Sequence, residues 1–261
     1  MYKRRLIPIL FFRNGWMVRS QQFKIHQIIG DPYSHVERMK EWDVDELVIL
    51  DISTDQNITH NRKDYKIKPV ENILELIRKL SIESHMPLTF GGNIKNINDI
   101  ETIICNGADK VAINTITNTN PNIITESAKI FGRQAIVSSI DYKIVEGKAI
   151  AFSDKGRIML EEDPIELGKR LEGLGAGEIL LQSIDNDGEA RGYNYEIINN
   201  LVDSVSIPVI ACSGAGNKFH ILDCFNKTRA EAIAAGNIFH FTENAYPIFK
   251  AFLKINRSDI R

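Results

Sequence analysis

The chain has 261 residues, of which 43% are hydrophobic and 25% are charged, and its formal net charge is −2. This length fits one domain over residues 1–261, since a barrel of alternating strands and helices needs roughly 250 residues. The nearly balanced charge excludes a general attraction to nucleic acid. The apolar run of residues 6–12 stops at Arg13. It is much shorter than the roughly 20 residues that cross a bilayer, so we predict no membrane segment.

Short β-branched runs alternate with amphipathic stretches along the whole chain, a pattern typical of parallel strands joined by helices. Between the runs, apolar residues such as Leu167, Leu171 and Leu174 recur at helical spacing. The predicted strands cover residues 5–11, 46–51, 86–90, 109–113, 135–141, 178–183, 207–211 and 231–235. Eight such strands predict an α/β fold, the (βα)8 TIM barrel.

An internal repeat supports a barrel made of two similar halves. One segment reads DPYSHVERMKEWDVDELVILD and a later one reads DPIELGKRLEGLGAGEILLQS. At a constant offset of 132 they align Asp31 with Asp163, Pro32 with Pro164, Arg38 with Arg170 and Glu46 with Glu178. In each segment an aspartate cap and a proline in the first turn predict the start of a helix that leads into a strand. PLTFGGNIKNI and PVIACSGAGNK form a second matching pair.

Two long segments follow the first two predicted strands, and we interpret both as loops. Residues 12–30 carry Arg13, Arg19 and Lys24, and residues 54–68 are polar and charged. In barrels the functional site is built from the loops after the strands, so both loops are candidates for function. Disorder of residues 54–68 is the alternative.

Glycines and small polar residues lie where predicted strands end and helices begin. Glycine there lets backbone N–H groups approach an anion at the positive end of a helix. The residues concerned are Gly91, Gly92, Gly214, Gly216, Asn114, Thr115, Gly236 and Asn237. They predict two related anion sites on opposite sides of one barrel mouth, although a simple turn explains each pair taken alone.

Charged residues occupy both ends of the strands. Asp51, Asp141, Asp185 and Asp187 lie near the carboxyl ends, where a carboxylate can transfer protons. Loop capping is the alternative for Asp185 and Asp187. Arg5, Glu46, Lys110 and Glu178 lie near the starts of strands. If these side chains point into the barrel, they must form ion pairs, because a buried unpaired charge is costly. The alternative is that they are solvated at the strand ends.

Ligand patterns for metals and cofactors are missing from the sequence. The three cysteines, Cys105, Cys212 and Cys224, lack C-x-x-C spacing, and the six histidines lack metal-ligand spacing. We therefore expect no metal, no cofactor and no disulfide framework. A reducing cytoplasm is the expected location.

The stretches DELVILDI, FGGNI, GADKVAINT, SSID, GAGEILLQSIDNDG, SGAG and NIFHF carry a family resemblance. Over nearly its whole length the chain resembles the HisF family, the cyclase subunits of imidazole glycerol phosphate synthase. The resemblance implies a two-half barrel that receives ammonia from a HisH-like glutaminase and uses it to cleave a bis-phosphorylated ribonucleotide. A phosphorylated or otherwise anionic small molecule is therefore the expected substrate.

The resemblance also implies roles for individual residues. Asn93, Asn114 and Thr115 would hold one phosphate, Gly214, Gly236 and Asn237 the other, and Asp187 and Gly188 belong to the substrate site. Arg5, Glu46, Lys110 and Glu178 match the gate of the ammonia channel, and Asp109 matches a residue at the glutaminase interface.

This chain departs from the family at the reaction centre. The family's two catalytic aspartates end strands 1 and 5, but only Asp141 is present, and Phe11 in PILFFRNG occupies the first position. Asn93 and Ser213 replace family glycines. Similar departures occur in the WbuZ group, which is linked to amidation of bacterial surface sugars through a separate amidotransferase. We favour that function. The alternatives are a genuine imidazole glycerol phosphate synthase and a non-catalytic subunit that delivers ammonia.

Overall fold

The computed structural model describes residues 3–54, 70, 72–83 and 86–261. The strands are β1 (Arg5–Arg13), β2 (Trp16–Gln21), β3 (Ile25–Gly30), β4 (Leu47–Asp51), β5 (Leu88–Gly91), β6 (Lys110–Ile113), β7 (Ile136–Val145), β8 (Lys148–Ser153), β9 (Ile158–Met159), β10 (Glu178–Ser183), β11 (Val209–Cys212) and β12 (Ala232–Ala235). The α-helices are α1 (Pro32–Glu41), α2 (Ile73–Glu83), α3 (Ile97–Cys105), α4 (Ile116–Thr119), α5 (Asn122–Phe131), α6 (Pro164–Leu174), α7 (Tyr195–Ser204), α8 (Lys218–Lys227) and α9 (Ala245–Asn256). Two 3₁₀ helices cover Arg133–Ala135 and Asn237–His240.

Eight of these strands form a closed parallel barrel. Their order is β1, β4, β5, β6, β7, β10, β11 and β12, and β12 pairs with β1 to close the ring. Helices connect the strands on the outside, as expected for right-handed crossovers. The predicted (βα)8 barrel is confirmed, and each predicted strand overlaps a barrel strand.

The segment after the first strand differs from the prediction. We expected residues 12–30 to be a loop, but β1 runs on to Arg13 and pairs with β2, which pairs in turn with β3. In β2 the apolar residues Trp16, Met17 and Val18 and the small polar Ser20 are buried, whereas Gln21 at its end is exposed. Of the other predicted loop, 54–68, all but Thr54 lies outside the described residues.

The second half of the barrel repeats the first. Asp31 caps α1 and Asp163 caps α6, each by accepting backbone N–H groups of the first turn, and each is followed by proline. The hairpin β2–β3 after β1 also has a counterpart, because β7 continues into the antiparallel pair β7–β8. Both halves therefore carry a hairpin at the carboxyl end of their first strand.

Two apolar clusters stabilise the fold. The larger lies between the strands and the surrounding helices, and the smaller fills the barrel interior with side chains such as Ile9, Val48, Leu180 and Ile210. Because side chains alternate along a strand, every second residue faces the interior. Arg5, Glu46, Lys110 and Glu178 at the strand starts share this inward parity with the interior cluster, and so does Asp141 near the mouth of the barrel. No helix among the described residues is long and apolar enough to cross a membrane.

Candidate active site and channel gate

Four charged side chains form a ring at the amino-terminal end of the barrel. Arg5 Nη1 donates to Glu46 Oε2 at 2.5 Å, and Arg5 Nη2 donates to Glu178 Oε1. Lys110 Nζ lies 2.9 Å from Glu46 Oε1 and 2.8 Å from Glu178 Oε2. Charges of opposite sign thus alternate around the ring, and its net charge is zero. The side chains of Glu46 and Glu178 are only 3% and 5% exposed.

The ion pairs of the ring favour the charged forms of Glu46 and Lys110. Burial alone would raise the pKa of Glu46, but Lys110 and Arg5 hold that pKa below its ordinary value. Burial alone would lower the pKa of Lys110, but Glu178 and Glu46 hold that pKa above its ordinary value. Thr89 adds a hydrogen bond from its hydroxyl to Glu46 Oε1 at 3.2 Å. Just outside the ring, Asp109 is exposed and accepts a hydrogen bond from the Leu88 backbone N–H at 2.8 Å.

A polar layer crosses the interior near the opposite, carboxyl-terminal end. Asp141 is 4% exposed and accepts hydrogen bonds from Asn114 Nδ2 at 2.8 Å and Gln182 Nε2 at 3.1 Å. Gln182 Nε2 also lies 3.2 Å from Ser139 Oγ. Burial raises the pKa of Asp141 to about 7, although these hydrogen bonds act to lower it. A carboxyl group with this pKa can both donate and accept a proton near neutral pH.

Phe11 occupies the matching position on β1. The residue is 7% exposed and belongs to the interior cluster. A Cβ added to Gly236 would lie 3.3 Å from Phe11 Cε2, so the ring packs directly on this glycine at the end of β12. The mouth therefore has a carboxyl group on the strand of one half and a phenyl ring on the strand of the other.

The residues predicted for the first anion site lie around the carboxyl ends of β4–β7. Asn93 and Thr115 are exposed, and Asn114 is half-buried. Asn93 Nδ2 donates to Asp51 Oδ2 at 3.0 Å, and Thr115 Oγ1 accepts from the Asp154 backbone N–H at 3.2 Å. All three side chains already make hydrogen bonds within the chain. Each side chain still has a donor to offer to an anion, because Thr115 keeps its O–H and each asparagine keeps a second N–H.

The residues predicted for the second anion site border a cavity of about 180 Å³. Its lining includes Phe11, Asp187, Gly214, Gly236 and Asn237. Gly214 has a φ of +109°, and a Cβ there would fall 2.0 Å from the carbonyl oxygen of Gly192, so only glycine fits. α8, capped by Asn217, begins directly after this glycine turn, and the start of a helix carries a partial positive charge.

Asp187 and Asn237, which border this cavity, also hold the β2–β3 hairpin. Ser20 Oγ donates to Asp187 Oδ2 at 2.6 Å, and Asn237 Nδ2 donates to the Ser20 carbonyl at 2.6 Å. The Phe23 backbone N–H also lies 3.3 Å from the Asp187 carboxylate. Burial raises the pKa of Asp187 despite these donors. Asp185, by contrast, caps the β7–β8 hairpin through the Ile144 N–H at 2.7 Å.

Comparison with known proteins agrees with this architecture. Residues 5–245 match the model of a family described as "Histidine biosynthesis protein". The chain is 37% identical to the imidazole glycerol phosphate synthase subunit HisF of Hydrogenobaculum sp. (strain Y04AAS1), and 38% identical to those of Flavobacterium psychrophilum and Bacillus cereus. Each alignment covers all of both chains.

This chain belongs to the histidine biosynthesis protein family. It is HisF-like over its full length. Two of its departures from the family pattern lie in left-handed backbone. Asn93 and Ser213, which replace glycines, have φ values of 55° and 80°. The left-handed backbone is thus kept without glycine, at some conformational cost.

Sequence reasoning about this HisF-like chain missed several polar residues of the interior. Gln182, Ser139 and Thr89 share the inward parity of Glu178, Asp141 and Gly91, so alternation along each strand was the signal that could have found them. Ser20 was not predicted as a site residue because residues 12–30 were expected to form a loop. Among the residues that the structure describes, no group of three or more His, Cys, Asp or Glu side chains is arranged to hold a metal ion.

Proposed function

We propose that this chain is the ammonia-accepting subunit of a glutamine amidotransferase complex, with a reaction centre that no longer carries out the histidine-pathway cyclisation. Its role is the amidation of a bacterial surface sugar, together with a separate sugar amidotransferase. The observation that carries this proposal is the phenyl ring of Phe11 in the interior at the mouth, packed on Gly236. Three free cysteines fit a reducing cytoplasm.

The passage of ammonia is supported by the arrangement of the interior. The ring of Arg5, Glu46, Lys110 and Glu178 lies at one end of the barrel, and Asp141 lies at the other. Apolar side chains such as Val48 and Leu180 lie between them. An apolar interior favours a neutral molecule over a charged one, because desolvating an ion is far more costly. Opening one ion pair of the ring would admit ammonia from a HisH-like glutaminase docked at that end.

The chemistry at the mouth differs from that of a cyclase with two aspartates. A phenyl ring can neither donate nor accept a proton, and loss of a positioned acid or base typically slows a reaction by about 10² to 10⁴. Asp141 remains as the proton-transfer group, with a pKa of about 7 caused by burial. The glycine-lined cavity beside Phe11 suits the phosphate or other anionic group of a small-molecule substrate.

An ammonia-dependent assay with the bis-phosphorylated ribonucleotide of imidazole glycerol phosphate synthase tests this proposal. We expect little or no turnover by the native chain and a gain of activity in Phe11→Asp. Phe11→Asn is the matched control, because it makes a similar change in size and polarity without restoring a carboxyl group. Turnover of the native chain at the rate of an ordinary HisF protein would refute the proposal.

The alternative is a genuine imidazole glycerol phosphate synthase subunit, which is consistent with the 37–38% identity to HisF proteins. It requires another carboxylate to replace the missing one. Asp187 borders the same cavity as Phe11. If the native chain is active and Asp187→Asn abolishes that activity, this alternative is correct. A third possibility, a subunit that only delivers ammonia, predicts that Asp141→Asn leaves amidation by the complex unchanged.

Docking of the glutaminase is tested by charge reversal at the two ends of the barrel. Asp109 is exposed beside the ring, and Glu146 is exposed on the β7–β8 hairpin at the other end. Asp109→Lys should weaken association with a cognate HisH-like subunit by roughly tenfold, or about 1.4 kcal/mol. Glu146→Lys makes the same change of charge and should leave the dissociation constant unchanged. Equal effects of the two variants would contradict docking at the ring end.

A further inference from the structure

We propose that the side-chain amide oxygen of Gln182 binds ammonia in the barrel interior and positions it beside Asp141. Gln182 is then a positioning residue that holds the nucleophile where the interior path reaches the mouth. This inference rests on the proposed ammonia-accepting function. It concerns a residue outside the two predicted anion sites and outside the charged ring.

The amide group of Gln182 is fixed in one orientation by its neighbours. Gln182 is 3% exposed, and its Nε2 lies 3.1 Å from Asp141 Oδ1 and 3.2 Å from Ser139 Oγ. Reversing the amide would place Oε1 against an oxygen of the Asp141 carboxylate, and two acceptors would then face each other. Once Asp141 is ionised, only the orientation with Nε2 toward Asp141 is favourable.

This orientation leaves Gln182 Oε1 buried with no hydrogen-bond partner among the residues that the structure describes. A buried acceptor left unsatisfied costs roughly 1–3 kcal/mol, so such groups are normally paired. The missing partner must carry an N–H or O–H group. It must also be small, because the surrounding interior is filled by side chains of the barrel strands.

The position along the barrel favours ammonia as that partner. Gln182 lies on β10, four positions after Glu178 of the charged ring, with which that strand begins. At ~3.3 Å per residue the distance along the strand is about 13 Å. Leu180, which faces the interior between them, is fully buried and apolar. A neutral molecule that passes the ring and this apolar zone meets Gln182 Oε1 as a free acceptor.

Ammonia also matches the groups around the site. One N–H of ammonia can be donated to Gln182 Oε1, which directs the molecule to the immediate neighbourhood of Asp141. The carboxyl group is then available to exchange a proton with the nitrogen or with the substrate that it attacks. Water can satisfy the same acceptor, so a competition between water and ammonia is the decisive measurement.

The experiment uses the full-length chain labelled with ¹⁵N in its glutamine side chains. Ammonium chloride is titrated at two pH values, one below and one above the pKa of ammonium, both above the range in which Asp141 titrates. We expect a saturable shift of the Gln182 side-chain amide resonance that follows the concentration of free ammonia and not that of ammonium. Potassium chloride at equal ionic strength should cause no such shift.

Variants identify the resonance and the acceptor. Gln182→Met keeps the bulk of the side chain and should lose the signal, and Gln182→Asn serves the same assignment if the Met variant does not fold. Ser139→Ala removes a contact of Nε2 but keeps Oε1, so the response to ammonia should persist. No shift, a shift that follows ammonium, or the same shift with potassium would overturn the inference and indicate bound water only.

The outcome is separable from that of the proposed function. If the glutaminase associates with the chain but ammonia leaves the Gln182 resonance unchanged, this inference is wrong and the proposed function stands. If the resonance responds to ammonia but no glutaminase associates, the ammonia site stands and the proposed function is wrong.

Discussion

Replacing Glu46 by alanine tests the ring of ion pairs most directly. The Glu46 carboxylate contacts Arg5 at 2.5 Å, Lys110 at 2.9 Å and the Thr89 hydroxyl at 3.2 Å, and its side chain is 3% exposed. Its removal leaves two cations sharing Glu178 and gives the ring a net positive charge. Breaking a buried ion pair by removing one partner typically costs about 3–5 kcal/mol.

The expected loss lies near the lower end of that range. The side chains of Arg5 and Lys110 are 13% and 20% exposed, so both regain some hydration when their partner is removed. We therefore expect the free energy of unfolding to fall by about 3 kcal/mol. For a chain of this size, such a loss lowers Tm by roughly 6–12 °C. Urea denaturation with an unchanged m-value measures it.

A control and a pH series complete the test. Glu166→Ala breaks an exposed pair with Lys169, for which we expect a loss of about 0.5 kcal/mol. Because the pKa of Glu46 is lowered in the folded state, its stabilisation is complete above about pH 4.3 and is lost as the pH falls through the folded-state pKa. Glu46→Gln should reduce that loss in acid. If Glu46→Ala is no more destabilising than Glu166→Ala, the ring is not a buried network.

Further predictions concern the mouth and the caps. Because burial raises the pKa of Asp141 to about 7, the native chain should lose stability as the pH rises from about 4 to 7, at about 1.4 kcal/mol per pH unit. Asp141→Asn should remove this dependence. Urea unfolding at pH 5 and 8 would measure both. Ser20→Ala removes the 2.6 Å bond to Asp187, so amide hydrogen exchange should become faster in β2 and β3 but not in β8. Equal acceleration in both hairpins would contradict the role of Ser20 in holding the β2–β3 hairpin. Asp163→Ala should cost about 1 kcal/mol of unfolding free energy through loss of the α6 cap, and a neutral effect in thermal denaturation would count against it.

The sequence by itself determined the barrel and the places where polar groups face its interior. Alternating strand and helix patterns predicted all eight barrel strands, since burial on both faces of a parallel sheet requires continuous apolar runs. The repeat that aligns Asp31 with Asp163 predicted two similar halves. Both aspartates do cap helices, since a helix cap depends on the local sequence. Phe11 was identified as the departure from the family pattern by its position at the end of the first strand.

Only the tertiary structure decided which side chains contact one another. The segment of residues 12–30 forms a hairpin whose Val18 packs into the interior cluster and whose Ser20 bonds Asp187, long-range contacts that local turn signals do not reveal. Asp187 and Asn237 hold that hairpin, which no spacing in the sequence indicates. Gln182 became visible as an unpaired acceptor only when β10 was placed beside β7. Hydrogen bonding and burial depend on neighbours that are distant in the chain, and only the closed barrel brings them together.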